Sequence, residues 1–423
     1  MHLEYIFFVI YILGCFYVFP RVGFIKRAGF TPTEVRLLLA FKLIVAIVCS
    51  FYFAEVLPYS DSKTYNMGGL EQYQLLVNNP GLFFTNSGAG SATYGLGGVF
   101  DASNSFWADL RFTMLYKIIA LFNLITAGHF YLNSLVFSSL LFFGHIAFYR
   151  IYNDLYPGNK IIIVMLCFLL PSVLTYTACV HKDGLVFFFI GLISFIFYSY
   201  LQHKKRFSFT ISLVFICSML GIFVFRNYVL LALLPAMFTA WLCSKRSFSR
   251  WLITGVSYIA YAVIFFLAQH VNPSLHFADA VVKRRAEFAA AGPGSTDLAM
   301  QTLYPTASSF LVNTPHAVNH VLFRPYLWEF SGLGVLLAAL ELACYQSITL
   351  LFIFFRRRQY PVLSNYNLYA LAFFATMVLI IGYTIPNVGA IVRYRGLIWI
   401  FVLVPMVCGI DWARLAFWQK KQR

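Results

Sequence analysis

The stretch TYTACVHKDGLVFFF, residues 175–189, places His181, Lys182 and Asp183 between two apolar runs. These runs cover about residues 161–178 and 184–201, and a helix of roughly 20 apolar residues is long enough to cross a bilayer. Apolar runs of similar length, separated by short polar segments, recur along the chain. The pattern predicts an all-α polytopic membrane protein.

The composition indicates the same class. Hydrophobic residues make up 61% of the 423 residues and charged residues only 11%, more apolar surface than a soluble fold can bury. The formal net charge is +16, and its Lys and Arg residues lie in loops beside apolar runs. This placement favours anionic membrane lipid over nucleic acid as the partner. The eight scattered cysteines form no CxxC pair and are interpreted as packing residues.

Five basic clusters set the predicted orientation, because Lys and Arg accumulate in cytoplasmic loops. Placing all five in the cytoplasm gives one transmembrane domain, 1–423, with about eleven helices, the N-terminus outside and the C-terminus inside. The clusters are 21–27, 203–206, 244–250, 356–358 and 419–423. The predicted spans are 3–19, 37–57, 132–152, 161–178, 184–201, 208–225, 228–243, 251–269, 331–354, 366–385 and 395–411.

Two long loops, 58–131 and 270–330, fall on the outer side. The first contains the run MLYKIIALFNLITAGHF, 114–130, in which Lys, Asn and His interrupt the apolar residues. If this run were a span, the basic clusters would lie on opposite sides, so we expect an amphipathic helix on the outer surface. Loops of this length are uncommon without a function, so they are where a site is expected.

Charged residues gather at the outer ends of the predicted spans. Asp61 follows span two, and Asp183 lies between spans four and five. Short outer loops normally contain few Lys and Arg residues, so the cations found there are unexpected. They are Lys182, Arg226, Arg393 and Arg395, and a further cation, Arg324, lies in the long loop just before span nine.

Each of these residues also has a structural explanation. The cations can extend from a span to the interface. Asp183 can pair with Lys182 or cap the helix that follows, and Asp61 can cap a loop segment. His181 is interpreted as an interfacial or packing residue, because no metal-binding spacing accompanies it.

Two carboxylates and several cations on one membrane face suit an anionic, lipid-linked substrate. The Arg and Lys side chains would hold a phosphate or diphosphate leaving group and neutralise its growing charge. Asp61 is the candidate base for an acceptor hydroxyl, and Asp183 would orient the acceptor or support Asp61. A divalent cation could bind a carboxylate, but the sequence assigns no metal ligand, because neither Asp61 nor Asp183 has an acidic neighbour.

The order of these features resembles the GT-C superfamily of integral-membrane glycosyltransferases, which use polyprenyl-phosphate-linked sugars. An acidic residue opens a long outer loop, YSDSKTY with Asp61, and the surface helix follows. After a cytoplasmic turn, YPGNK, the chain returns through LLPSVLTYTACVHKDG to Asp183. The resemblance covers about residues 37–201. It implies sugar transfer to a lipid-linked acceptor at the periplasmic face of a bacterial inner membrane, in cell-envelope glycan assembly.

Two alternatives remain open. Polysaccharide repeat-unit polymerases of the Wzy and EpsG kinds share similar chemistry and keep Arg residues in outer loops, so Arg226, Arg393 and Arg395 suit them equally. A transporter or flippase of lipid-linked glycans would carry charges near mid-membrane, and Glu341, about ten residues into span nine, is of that kind. The oligomeric state is left open.

Overall fold

The described part of the chain is almost entirely helical. The computed structural model describes residues 2–57, 60–88, 99–100, 105–204, 208–246, 248–272, 275–290, 296–329, 332–357 and 364–415. Numbered in chain order, the helices are α1 His2–Val18, α2 Gly23–Lys26, α3 Pro32–Phe51, α4 Asp61–Asn78, α5 Pro80–Thr85, α6 Phe106–Thr126, α7 Phe130–Leu155, α8 Lys160–Phe168, α9 Pro171–Ala178, α10 Lys182–His203, α11 Phe209–Arg226, α12 Tyr228–Lys245, α13 Arg250–Val271, α14 Phe277–Ala290, α15 Ala307–Leu322, α16 Leu333–Phe355, α17 Asn365–Thr384 and α18 Val388–Gly409.

Nine helices within the described ranges are long and apolar enough to cross a membrane. They are α3 with its extension to Val56, α7, α10, α11, α12, α13, α16, α17 and α18. The pair α8 and α9 passes the same test only together, with a bend of 51° between its halves, and α1 is a shorter apolar helix. The predicted class, an all-α polytopic membrane protein, is confirmed. The count of eleven spans and the orientation stay predictions.

The run predicted as a surface helix over 114–130 belongs to α6. This helix begins earlier, at Phe106, ends at Thr126, and is not among the candidate spans. It packs along α4, where Gly69 leaves room for the side chain of Ile119. Because a Cβ atom at Gly69 would overlap Ile119, the glycine permits this close approach. The predicted loop 58–131 therefore contains a packed helix pair, and its outer location stays a prediction.

The centre of the bundle is formed by α7, α10, α17 and α18, the candidate spans with the largest buried share. Small residues let α7 and α10 pack closely, since a Cβ atom at Gly191 would lie 3.0 Å from the Gly144 carbonyl. In contrast, α13 has no buried residue along its 22 residues. It therefore lies on the periphery of the bundle.

The second long loop, 270–330, also contains helices. α14 and α15 lie within it, and the strand-like contact of Asp297 with Asn387 joins the loop to the start of α18. The Asn387 side chain donates to Asp297 at 3.0 Å and accepts from the Ala390 backbone at 3.2 Å, which caps α18. This loop is therefore attached directly to the helix that carries Arg393.

Candidate functional site

Five polar side chains from four helices meet at one end of the bundle. Asp61 begins α4, His181 caps the start of α10, Asp183 lies in the first turn of α10, Arg226 ends α11, and Arg393 lies near the start of α18. We call this group the carboxylate–arginine cluster. Four of its members were selected from the sequence, and the structure brings these four together.

Asp183 is the buried centre of the carboxylate–arginine cluster. Arg226 donates from Nε to Oδ1 at 2.8 Å and from Nη2 to Oδ2 at 3.1 Å. The Nε atom of Arg393 lies 3.2 Å from Oδ2. The Asp183 side chain has no exposed surface. Because both oxygens face arginines, this carboxylate suits the supporting role that the sequence suggested for it.

Asp61 is the exposed carboxylate of the same cluster, with 53% of its side chain accessible. Its Oδ2 accepts from Arg393 Nη1 at 3.0 Å and lies 3.4 Å from His181 Nε2. The hydrogen bond from His181, together with the positive charge of Arg393, holds the pKa of Asp61 well below its usual range. Asp61 is therefore ionised and available to a ligand.

His181 lies between the two carboxylates, a place that the sequence did not predict. Its Nδ1 atom accepts the backbone N–H of Asp183 at 3.2 Å and so caps α10. When Nδ1 accepts, the proton of a neutral imidazole is on Nε2, which faces Asp61. The signal that the sequence offers is its position, directly before Lys182 and Asp183 between two apolar runs.

Lys182 lies beside the cluster and faces aromatic rings. Its Nζ lies 3.8 Å from the ring centre of Phe112 on α6 and 5.1 Å from that of Tyr65 on α4. Only 8% of Lys182 is exposed, and the described residues offer its Nζ no hydrogen bond or ion pair. Its ammonium contacts ring faces and keeps its N–H donors for a ligand.

Arg324 and Arg395 lie apart from the carboxylate–arginine cluster. Arg324 pairs with Glu329, with Nε 2.9 Å from Oε1. Arg395 donates from Nη1 to the Val321 carbonyl at 3.0 Å and to the Arg324 carbonyl, at the end of α15. Both guanidinium groups thus have structural partners, and the phosphate-binding role predicted for them gains no support from their contacts.

Two further arginines near the cluster were missed because they lie within the helices of the long loops. Burial and the repulsion of Arg284 and Arg226 lower the pKa of Arg111, on α6, to about 10. Burial and repulsion from Arg226 also lower the pKa of Arg284, on α14. The ion pair of Arg284 with Glu287 is long, at 3.7 Å. This concentration of positive charge would be relieved by a bound anion.

An apolar groove of about 630 Å³ opens beside the cluster. Residues of α12, α13, α14, α15 and α17 line it, and Arg284 lies on its wall. Tyr394 connects the groove to the cluster: its hydroxyl accepts from Arg393 at 3.1 Å, and the Arg226 guanidinium lies 4.5 Å from its ring centre. This volume is typical of small-molecule sites, which are mostly apolar with a few polar groups.

The two carboxylates and the histidine of this site are not arranged around a common metal position. Over the ranges that the structure describes, no three His, Cys, Asp or Glu side chains are placed to hold a metal ion. Asp61 and Asp183 face arginines and a histidine instead.

Comparison with known proteins assigns no family to this arrangement. No protein-family model, no curated protein and no solved structure matches the chain.

Proposed function

We propose that this protein transfers a glycosyl group from a polyprenyl-(di)phosphate-linked sugar to a lipid-linked acceptor. The reaction would occur at the periplasmic face of a bacterial inner membrane. The observation that carries the proposal is that Arg393 bridges an exposed carboxylate and a buried one, at 3.0 Å from Asp61 and 3.2 Å from Asp183. This arrangement offers one group for an acceptor hydroxyl and cations for a phosphate.

The cations would stabilise the leaving group. The acceptor oxygen attacks the anomeric carbon, its proton passes to Asp61, and the bond to the phosphate oxygen breaks with its electron pair left on the phosphate. Arg393, which is 22% exposed, Lys182 and Arg284 are placed to neutralise that charge. Arg226 is bound to Asp183 and 6% exposed, so in this scheme it holds the site together.

Binding of the donor would also prepare the base. While His181 and Arg393 contact Asp61, its low pKa makes it a weak proton acceptor. A donor phosphate that drew Arg393 away would remove one of these contacts and raise the pKa of Asp61. The scheme therefore places donor binding before proton transfer from the acceptor.

The apolar groove is the proposed site of the donor's lipid chain. Its outer wall belongs to α13, which has no buried residue, so the groove lies on the side of the bundle that meets lipid. Arg284 on the groove wall, and Arg393 behind Tyr394, would face the phosphate of a chain lying there. Charge and apolar lining both fit a phosphorylated polyprenyl chain.

A repeat-unit polymerase is the second candidate, because the exposure of Asp61 leaves space for a long acceptor. The transporter alternative has less support. Glu341 accepts from the Ser172 backbone and hydroxyl, at 3.1 and 3.0 Å, and from the Tyr345 hydroxyl. Glu341 is the mid-span carboxylate that favoured transport, and these contacts give it a structural role.

The test uses the purified full chain in lipid nanodiscs with a panel of polyprenyl-phosphate and polyprenyl-diphosphate sugars and lipid-linked acceptors. We expect a product with one added sugar for a transferase and a ladder of products for a polymerase. Asp61→Asn should reduce the rate by about a hundredfold or more, the usual contribution of a general base. Glu71→Gln, an exposed carboxylate on the same helix, is the matched control. Equal rates in Asp61→Asn and wild type would contradict the proposal.

A further inference from the structure

Both ends of the short helix α9 are bound by charged side chains of other spans. At its start, Glu341 of α16 accepts from the backbone N–H and hydroxyl of Ser172, at 3.1 and 3.0 Å. At its end, Lys42 of α3 donates to the carbonyl and hydroxyl of Thr177, at 3.1 and 3.0 Å. The first N–H groups and last carbonyls of a helix lack partners within it, and these charges match the signs of its dipole.

Lys42 also connects the two halves of the bent span. Its Nζ, on a side chain only 2% exposed, lies 3.0 Å from Nε2 of His145. The Nδ1 atom of His145 lies 2.6 Å from the carbonyl of Cys167, near the end of α8. If Nε2 accepts from Lys42, Nδ1 carries the ring proton and donates to that carbonyl. The three N–H donors of a protonated Lys42 thus face three uncharged acceptors, which are Nε2 of His145 and the carbonyl and hydroxyl oxygens of Thr177.

The end of α9 leads directly into the carboxylate–arginine cluster. Cys179, one residue beyond α9, has its sulfur 3.5 Å from the hydroxyl of Ser62, the neighbour of Asp61. His181 follows two residues later and Asp183 four residues later. The position of Thr177 therefore affects both elements that carry the carboxylates.

We propose that Lys42 and Glu341 are positioning residues that hold α9 and thereby set the placement of Asp61 relative to Asp183. We call this pair the α9 clamp. An uninterrupted apolar helix would cross the membrane without charged side chains within the bundle, which are costly there. In this protein Lys42 and Glu341 contact α9, the second half of the bent span. The chain turns at the end of α9 into the carboxylate–arginine cluster. The use of that placement in catalysis rests on the proposed function, whereas the clamp itself does not.

Cys179 is a natural reporter of the α9 clamp, because it is 1% exposed in the intact structure. The experiment measures alkylation of each cysteine in the full chain in nanodiscs by a small thiol reagent and mass spectrometry. We expect Lys42→Met and Glu341→Met each to speed labelling of Cys179 by about tenfold through local opening. The buried cysteines Cys15 and Cys243, on other helices, should keep their wild-type rates.

Two further variants complete the test. Lys42→Gln, which keeps an N–H donor, should restore part of the slow labelling. Lys26→Met, an exposed lysine outside the clamp, should leave all rates unchanged. An unchanged rate at Cys179 in the clamp variants would overturn the inference. So would a parallel rise at Cys15 and Cys243, because Lys42 would then stabilise the whole bundle and not α9.

The transfer assay separates this inference from the proposed function. With a working assay, Lys42→Met should lower kcat several-fold while the KM for the donor changes little, because the displaced group is Asp61 and not the groove. If no substrate is turned over by the wild type, the proposed function fails while the labelling result still decides on the α9 clamp.

Discussion

Arg226 binds Asp183 through two parallel hydrogen bonds, at 2.8 and 3.1 Å, and Asp183 has no exposed surface. Removing one partner of a buried ion pair is strongly destabilising, and without Arg226 the Asp183 carboxylate would keep only Arg393 as an arginine partner. This pair therefore has consequences for folding that do not depend on the reaction.

Replacing Arg226 should destabilise the protein even when charge is kept. Arg226→Lys loses the two-pronged geometry, and Arg226→Met should cost about 3–5 kcal/mol of folding free energy. Thermal unfolding in detergent measures both. Arg246→Lys, at an exposed arginine, is the control. Adding Asp183→Asn to Arg226→Met should recover part of the loss. If Arg226→Lys has the same melting temperature as wild type, the two hydrogen bonds to Asp183 do not stabilise the fold, and Arg226 only extends to the membrane interface.

The ionisation of Asp61 should make stability depend on pH in a defined window. Because its pKa is lower in the folded than in the unfolded protein, ionised Asp61 stabilises the fold above the unfolded value of about 4, and this contribution is lost as the pH falls below it. The difference in melting temperature between wild type and Asp61→Asn should therefore shrink between pH 7 and pH 3. Glu71→Gln is the comparison at both pH values, and a constant difference for Asp61→Asn would argue against the contacts with His181 and Arg393.

Filling the groove should weaken binding of the lipid and leave the fold intact. Ala262, exposed on α13, lines the groove, whereas Ala260 on the same helix does not. Ala262→Trp should therefore reduce the affinity for a polyprenyl phosphate by about tenfold or more, since a bulky ring occupies space needed by the chain. Native mass spectrometry can measure the bound lipid. Equal binding by the Ala262→Trp and Ala260→Trp variants would place the lipid elsewhere.

The orientation in the membrane can be tested with two exposed lysines. Lys63 lies two residues after Asp61, and Lys204 directly follows α10, at the opposite end of that helix from Asp183. In a background without the exposed Cys217 and Cys344, an impermeant thiol reagent added to intact cells should label Lys63→Cys and not Lys204→Cys. If only Lys204→Cys is labelled, the predicted orientation is wrong and Asp61 lies on the cytoplasmic side.

Local patterns predicted much of the carboxylate–arginine cluster. Asp61, Asp183, Arg226 and Arg393 each lie near the end of an apolar run, and charge bias alone placed those ends on one face. Arg395, only two residues beyond Arg393, points instead to carbonyls at the end of α15. Which of two neighbouring arginines faces the site depends on helix rotation, and that is decided by packing.

The remaining residues depend on contacts far apart in sequence. Arg111 and Arg284 reach the site because α6 and α14 pack against the spans, and amphipathic periodicity does not specify a packing partner. Lys42 lies within an apolar run, and its acceptors Thr177 and His145 come from two other helices. A single buried lysine gives no sequence signal of what it will bind.

The peripheral position of α13 affects how a lipid substrate would reach the groove. A lipid that occupies the groove behind a helix with no buried residue would exchange sideways with the bilayer, without passing through water. The quantity that sets occupancy is then the mole fraction of the carrier among membrane lipids, not its bulk concentration. The apparent affinity of the protein for the carrier lipid should accordingly fall when carrier-free lipid or detergent is added while the total amount of carrier is kept constant. The added lipid dilutes the carrier within the membrane plane.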